Sequence, residues 1–165
     1  MPCVYGCHMQ SRYVNGLTIR SLRNGDTATV SALFARMGER SRERRFCGAK
    51  PRLSELELAT LAQVDRDHHV LVGYVDGDAE PAGIARLVRD GSSAEVAFAV
   101  ADSYHGRGLG STLASELATD ARAAGITQLM ATVCGDNPRV IALLQRLGSL
   151  DVSWRGRERE LVVGL

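Results

Sequence analysis

The sequence predicts a single mixed α/β domain in which one twisted sheet of six to seven strands is flanked by about four helices. Short segments that are apolar or alternating are typical of strands. They alternate along the chain with segments whose apolar residues recur every three to four positions, as is typical of helices. The length of 165 residues suits one ordinary domain with its own core. No internal repeat or linker divides the sequence.

The first half of the chain is expected to contribute three strands and two helices. Asp26 is a predicted N-cap for the first helix. Ser54 and Glu57 match a capping box, so the second helix is expected to begin at Ser54. The expected strands are residues 17–22, 69–75 and 81–88, with a turn at residues 76–78 between the last two.

The central strand is predicted at residues 94–100, where large and small side chains alternate. One face carries Val96, Phe98 and Val100, and the other carries Glu95, Ala97 and Ala99. A strand covered by protein on both faces usually has large side chains on both. The small face therefore indicates space for a ligand, and at ~3.3 Å per residue Glu95 lies roughly 16 Å along the strand from Val100.

Three alternating glycines follow this strand and lead into a helix. Gly106, Gly108 and Gly110 allow tight turns and a close approach of the backbone to a ligand. The helix that begins near Gly108 adds the positive end of its dipole. This junction is predicted to bind a pyrophosphate.

The glycine spacing argues against two common nucleotide sites. Residues 106–111 do not match G-x-G-x-x-G, and no acidic residue ends a strand ~20 positions later, as in a dinucleotide site. They also lack the lysine of the P-loop pattern G-x-x-x-x-G-K-[ST].

The remaining elements continue the alternation of helices and strands. The helix after the glycines ends at Gly125, and residues 128–134 form the next strand. Asn137 and Pro138 supply an N-cap and a proline at the first helical position of a helix that ends at Gly148. A closing hairpin is predicted from residues 149–154 and 160–163.

The succession of strand, glycine loop, helix, strand and capped helix resembles the acyl-CoA-binding half of the GCN5-related N-acetyltransferases (GNAT). His105-x-x-Gly108-x-Gly110 is similar to the R/Q-x-x-G-x-G/A motif of that family, with histidine at the first position. The resemblance implies a GNAT fold over residues 16–165, with acetyl-CoA as co-substrate. The residues implied in binding it are Phe98, Ala99, Val100, His105, Gly106, Arg107, Gly108, Leu109, Gly110, Ser111 and Asn137.

Several segments are similar to the Pat-type bacterial protein lysine acetyltransferases. They are Arg44-Arg45-Phe46, Leu53-Ser54, Glu57-Leu58, Val64-Asp65, residues 68–72 and Ala94-Glu95-Val96-Ala97-Phe98. In that group the glutamate of the last segment is the general base, which implies this role for Glu95. A lysine amine must lose a proton before it attacks the thioester, and a carboxylate on the small face of the strand is suited to accept it.

The same resemblance implies the acceptor, a lysine on a protein such as an acyl-CoA synthetase-type metabolic enzyme. Some relatives carry a regulatory or ligase domain, whereas these 165 residues are expected to hold the acetyltransferase domain alone. Many GNAT enzymes have a tyrosine that can protonate the leaving thiolate, but Leu144 occupies that position. Tyr104 is interpreted as a packing residue. Two other functions stay open, namely acetyl transfer to a small-molecule amine and a non-catalytic acyl-CoA-sensing module.

The charge of the chain gives no case for binding to nucleic acid or to a membrane, since the formal net charge is +1. The basic residues between 40 and 52 are interpreted as a solvated helix face and linker. In the GNAT arrangement this segment borders the acceptor site, so a patch for an acidic partner is the alternative.

The four cysteines are predicted to form neither a disulfide nor a metal site. Cys3, Cys7 and His8 provide too few ligands for a closed site, and Cys47 and Cys134 lie in separate elements. Residues 1–15 lack the pattern of a signal peptide, so a loose leader and a cytoplasmic location are expected.

Overall fold

Eight strands hydrogen-bond into one sheet in the computed structural model, which describes residues 11–165. The strands are β1 (Arg12–Val14), β2 (Leu17–Ser21), β3 (His68–Val75), β4 (Gly83–Asp90), β5 (Ser93–Val100), β6 (Gln128–Cys134), β7 (Ser149–Arg155) and β8 (Glu158–Gly164). The helices are α1 (Thr27–Ala35), α2 (Glu39–Phe46), α3 (Glu55–Leu61), α4 (Leu109–Ala123) and α5 (Pro138–Gln145). The predicted mixed α/β class is confirmed, with one strand and one helix more than expected.

The sheet has the order β1-β2-β3-β4-β5-β6-β8-β7, and every neighbouring pair is antiparallel except β5 and β6. The β4–β5 pair stays in register along the full length of both strands. In contrast, β5 pairs with β6 only where residues 93–95 meet residues 128–130. The sheet therefore opens between the later parts of β5 and β6.

Helices cover both faces of the sheet. On one face α4 packs against the central strands, and its Leu113 and Leu117 are fully buried. On the other face α1 and α3 cover a smaller cluster that includes Val70 and Val72 of β3. The alternation along β5 follows this division, because Val96 is buried on the α4 side.

The signals that predicted element starts from sequence are present as hydrogen bonds. Asp26 caps α1 by accepting from the Thr29 amide, and Ser54 and Glu57 form a complete capping box at α3. Asn137 caps α5, with Pro138 in its first turn. Among the strands, β4 begins at Gly83 rather than at Pro81, a proline having no N–H to donate to the ladder.

Part of the expected leader belongs to the sheet, which corrects the prediction for residues 12–14. These residues form β1, paired with β2, and the Arg12 side chain ties β1 to α4. A strand of three residues has too few positions to show an alternating pattern, and its place depends on residues more than 100 positions away. Residues 1–10 lie outside the described part of the chain.

Helix α2 has no apolar stripe, and contacts outside the helix hold it in place. The Arg42 guanidinium donates to the Phe34 carbonyl at 2.9 Å and to the Pro51 carbonyl at 3.1 Å. It also lies 4.0 Å from the centre of the Phe34 ring, a cation–π distance. The basic segment is thus partly a solvated helix face, as predicted, and partly a packed one.

No helix within residues 11–165 is both long and apolar enough to span a bilayer.

A buried polar network joins the α4 face to the sheet. His69 is buried in β3 and its Nε2 lies 2.8 Å from the Asp120 carboxylate of α4. Arg12 donates to the same carboxylate at 2.6 Å and to Glu116 at 2.8 Å. Burial alone would raise the pKa of Asp120, but the hydrogen bonds from His69 and Arg12 hold it below its ordinary value.

We expect Asp120→Asn to lower the free energy of unfolding by about 1–3 kcal/mol at pH 7, because it weakens charge-assisted hydrogen bonds in a half-buried site. Since the folded-state pKa is depressed, the stabilisation is present above the unfolded pKa of ~3.9 and is lost as the pH falls through the folded value. Urea unfolding at pH 7 and pH 3 checks this. A difference between wild type and variant that stays constant over this pH range would contradict it.

Candidate active site

The opening between β5 and β6 forms a cleft of about 410 Å³. Residues 96–100 of β5 form one wall and residues 131–133 of β6 the other. The glycine loop and α5 lie at the end where β5 finishes, and α2 borders the cleft near the same end, where Ser41 donates to Asp102 at 2.7 Å. Because β5 separates from β6 after residue 95, the β6-facing backbone groups beyond it have no strand partner in the described part of the chain. These groups are available to an extended ligand.

The glycine loop leaves the first turn of α4 open to the cleft. Gly106 and Gly108 have φ angles of +74° and +80°, which side chains rarely adopt. Gly108 is the N-cap of α4, none of the described side chains caps the helix amides, and no acidic residue occupies the first turn. The first N–H groups and the positive end of the helix dipole therefore remain free to bind an anion.

Gly110 serves packing between helices. A Cβ atom at this position would lie 3.3 Å from Cδ1 of Leu143 on α5, closer than an ordinary contact. The glycine therefore lets α5 approach the start of α4, so that both helices border the same end of the cleft.

His105, which stands where the GNAT motif has Arg or Gln, is positioned by two hydrogen bonds and lies 3.7 Å from the Asp102 carboxylate. Its Nε2 lies 3.0 Å from the Val100 carbonyl oxygen, and its Nδ1 lies 3.4 Å from Nη1 of Arg139. Arginine only donates, so Nδ1 accepts and Nε2 carries the hydrogen that Val100 receives. The ring thereby links the end of β5 to α5 across the loop.

Two arginines at the glycine end were not predicted as site residues. Arg139 and Arg146 of the α5 segment both line the cleft, and Arg146 lies 3.5 Å from the Ser111 hydroxyl. Guanidinium groups at this end suit the phosphates of a nucleotide. In the sequence, the only indication was that these arginines follow the Asn137 cap by two and nine residues. This spacing does not show that both lie next to the start of α4, because that depends on the packing of the two helices.

Tyr104 anchors the loop to the turn between β3 and β4. Its hydroxyl donates to Asp78 at 2.6 Å, and the same carboxylate accepts from Arg36 at 2.7 Å. These hydrogen bonds, with one from the Glu80 amide, lower the pKa of Asp78 to about 2. Leu144, at the position of the family's tyrosine, is fully buried in the core and does not line the cleft.

The residues predicted to bind acetyl-CoA come together in this cleft, with one exception. All of them line it except Arg107, whose guanidinium lies 5.2 Å from the Tyr104 ring centre. Glu95 does not line the cleft either. It is exposed on the Ala97 and Ala99 face of β5, at the end of the strand opposite to the glycine loop.

Two further arginines lie in the electrostatic neighbourhood of Glu95. Burial is the main reason why the pKa of Arg45 falls to about 10, and the positive charge of Arg86 lowers it further. Burial also lowers the pKa of Arg86. The negative charge of Glu95 acts in the opposite direction on both groups. Arg45 is thus a packed member of the basic segment, which corrects its interpretation as solvated.

Cys47 and Cys134 form a disulfide, which corrects the expectation that these cysteines are unpaired. Their Cα atoms are 5.4 Å apart, although 87 positions separate them in the chain. Cys47 ends α2 and Cys134 ends β6, so the bond joins two sides of the cleft. The prediction failed because only the packing of α2 over the opened sheet makes them neighbours. Cys3, Cys7 and His8 lie outside the described residues.

We expect reduction of this disulfide to lower the free energy of unfolding by about 2–4 kcal/mol, because the bond restricts a long loop of the unfolded chain. Thermal melts with and without a thiol reductant measure the effect. Cys47→Ser combined with Cys134→Ser should match the reduced wild type and should not respond to reductant. If the double variant still loses stability on reduction, the effect belongs to another cysteine pair.

The sequence profile of the Acetyltransferase (GNAT) family matches residues 35–149. The chain belongs to this family. It is 38% identical over 105 residues to acetyltransferase Pat of Mycolicibacterium smegmatis, an alignment that covers 61% of this chain and 31% of that protein. The chain thus spans less than a third of the length of this curated relative.

Solved GNAT structures agree with the architecture. The GNAT domain of S. lividans PAT superimposes with a TM-score of 0.81 at 26% identity, covering 90% of both chains. The yncA protein of Salmonella typhimurium, whose structure contains acetyl-CoA, has a TM-score of 0.66 at 21% identity and covers 91% of this chain and 94% of that one. At 21% identity, the similarity to the yncA protein shows a shared fold alone.

The cleft fits acetyl-CoA, the co-substrate of the GNAT fold. The uncapped amides of α4 with Arg139 and Arg146 suit the phosphates. The unpaired edge of β5 beyond residue 95 suits the amide groups of the pantetheine arm, which can pair with a strand. The first feature follows from the glycine N-cap of α4, and the second follows from the opening of the sheet.

Proposed function

We propose that this GNAT acetyltransferase transfers the acetyl group of acetyl-CoA to a lysine side chain of a protein, by direct attack of the amine in a ternary complex. The similarity to Pat is the observation that carries the choice of acceptor. The sequence Ala94-Glu95-Val96-Ala97-Phe98 supports it, since it matches the Pat-type strand that carries the general base.

Glu95 is proposed as the general base. Its carboxylate is exposed at the end of β5 away from the glycine loop, where an amine can approach from solvent. It accepts the proton of the lysine ammonium, directly or through water, which frees the nitrogen lone pair for attack. Backbone N–H groups of residues 98–100 are proposed to bind the thioester oxygen as it gains negative charge.

The leaving thiolate needs a proton, and the position of the family's tyrosine cannot supply it. Leu144 occupies that position and is fully buried. The Tyr104 hydroxyl is engaged with Asp78. We therefore assign protonation of the thiolate to water at the open side of the cleft.

A protein acceptor fits the charge of the cleft better than a polyamine. Among the described residues that line the cleft, none carries a carboxylate, whereas Arg44 and Arg45 of α2 border it. A polycationic small molecule would need acidic partners there. An acyl-CoA synthetase-type metabolic enzyme is the proposed protein substrate, and the cytoplasm is the proposed location.

Labelled acetyl-CoA and a cell lysate of the source organism test this proposal. After incubation with the enzyme, mass spectrometry should identify acetylated lysines that are absent when the enzyme is omitted. Label found solely in low-molecular-weight products would refute the protein acceptor and favour a small amine. Acetyl-CoA binding without any labelled product would favour the acyl-CoA-sensing function.

A further inference from the structure

A small recess branches from the cleft on the Ala97 and Ala99 face of β5. Its volume is about 40 Å³, and Met37, Arg45, Ala97 and Ala99 border both the recess and the cleft. Most of the remaining wall is apolar and comes from α1, α3 and β4. It includes Val30, Leu33, Phe34, Leu61 and Ile84. Arg86 of β4 also borders this recess.

The guanidinium groups at the recess are only partly satisfied by the protein. Nη2 of Arg86 donates to the Thr60 carbonyl at 3.1 Å, but its buried Nε has no hydrogen-bond partner among the described residues. The Arg45 guanidinium makes no hydrogen bond within residues 11–165, and it lies 5.0 Å from the Phe46 ring centre. A buried donor without a partner is costly, so the arrangement indicates a ligand that completes it.

The charges leave room for one further anion. Arg45 and Arg86 carry two positive charges, and of the carboxylates in residues 11–165 Glu95 is the one that acts on both. One positive charge therefore has no negative partner, and burial of the guanidinium groups already disfavours their charged form. A carboxylate is small, planar and able to accept two hydrogen bonds from a guanidinium.

We propose that Arg45 and Arg86 bind a carboxylate carried by a substrate of this enzyme, in the recess beside Ala97 and Ala99. The proposal rests on the function proposed above, because the recess opens on the β5 face that holds Glu95. The carboxylate has two chemical sources. It belongs either to the far end of a dicarboxylic acyl group on CoA or to the amine acceptor.

Calorimetric titration of the full chain with matched ligand pairs separates the two sources. Succinyl-CoA and butanoyl-CoA differ in a terminal carboxylate on the acyl group. Nα-acetyl-lysine and its methylamide, titrated into protein holding CoA, differ in a carboxylate on the acceptor. In one of the pairs, we expect the charged ligand to bind about ten- to a hundredfold more tightly, as charge-assisted hydrogen bonds require.

Arg86→Gln and Arg45→Gln should each remove most of this preference, whereas Arg40→Gln and Arg89→Gln should keep it. Arg40 is an exposed residue of α2, and Arg89 lies on β4 with its side chain on the face opposite to Arg86. The two test residues lie on different elements, so one variant remains decisive if the other fails to fold. Thermal melting checks folding.

Equal binding within both ligand pairs would overturn the carboxylate subsite, as would a preference that survives in both Arg45→Gln and Arg86→Gln. These readouts are binding constants and do not depend on turnover. Failure of the lysate experiment refutes the protein acceptor and leaves the subsite standing. Lysine acetylation without any carboxylate preference refutes the subsite alone.

Discussion

Glu95→Gln is expected to lower kcat/KM for acetyl transfer by about 10²–10⁴-fold and to leave acetyl-CoA affinity nearly unchanged. The amide cannot take up the ammonium proton, so the attacking nitrogen stays protonated. Affinity should persist because Glu95 does not line the cleft that is proposed to hold acetyl-CoA. Initial rates with a lysine acceptor and calorimetry with acetyl-CoA measure the two quantities separately.

Asp90→Asn is the matched control, since Asp90 is an exposed carboxylate at the neighbouring end of β4. It should leave the rate as in wild type. If the Glu95→Gln variant retains full activity, Glu95 is not the general base, and its role is to balance the charges of Arg45 and Arg86. In that case the double variant Glu95→Gln with Arg86→Gln should restore the stability that the single change at Glu95 loses.

The second large effect is expected at the glycine loop, where Gly108→Val should weaken acetyl-CoA binding at least tenfold. The φ angle of +80° disfavours any side chain, at a cost of about 1–2 kcal/mol. A Cβ at this position meets no atom of residues 11–165 within 4 Å, so the valine would project into open space at the uncapped start of α4. That space is where the phosphates are expected.

Gly156→Val controls for backbone strain. Gly156 has a φ angle of +64° and equally open surroundings, but it lies in the β7–β8 turn and does not border the cleft. Both variants should lose comparable stability in thermal melts. Unchanged acetyl-CoA affinity in Gly108→Val would show that the phosphates bind elsewhere.

Local patterns predicted much of the framework around the site. The alternation in β5 depends on the two-residue period of a strand, so Glu95, Ala97 and Ala99 could be assigned to one face without coordinates. The caps at Asp26, Ser54 and Asn137 are contacts between residues three positions apart. Such features are determined within a few residues and survive in the structure.

Other features depend on contacts between distant segments. α2 is polar except for Phe46, and it is held by the contact of Arg42 with Phe34 and by the Cys47–Cys134 disulfide. The carboxylate recess combines Arg45 of α2 with Arg86 of β4, residues that share no local pattern. A search for periodicity could not associate them, because a charged residue at a partly buried position gives the same sequence pattern as a solvated one.

The sequence by itself determined the class of the fold, the glycine loop and the candidate base, because hydrophobic period, helix capping and left-handed glycine conformations are properties of short segments. The tertiary structure alone decided where the sheet opens, since β5 and β6 pair over three residues and then diverge. It also decided which arginines face the opening and which cysteines meet across it. These depend on how helices pack over the sheet, a non-local balance of burial and charge that no short segment contains.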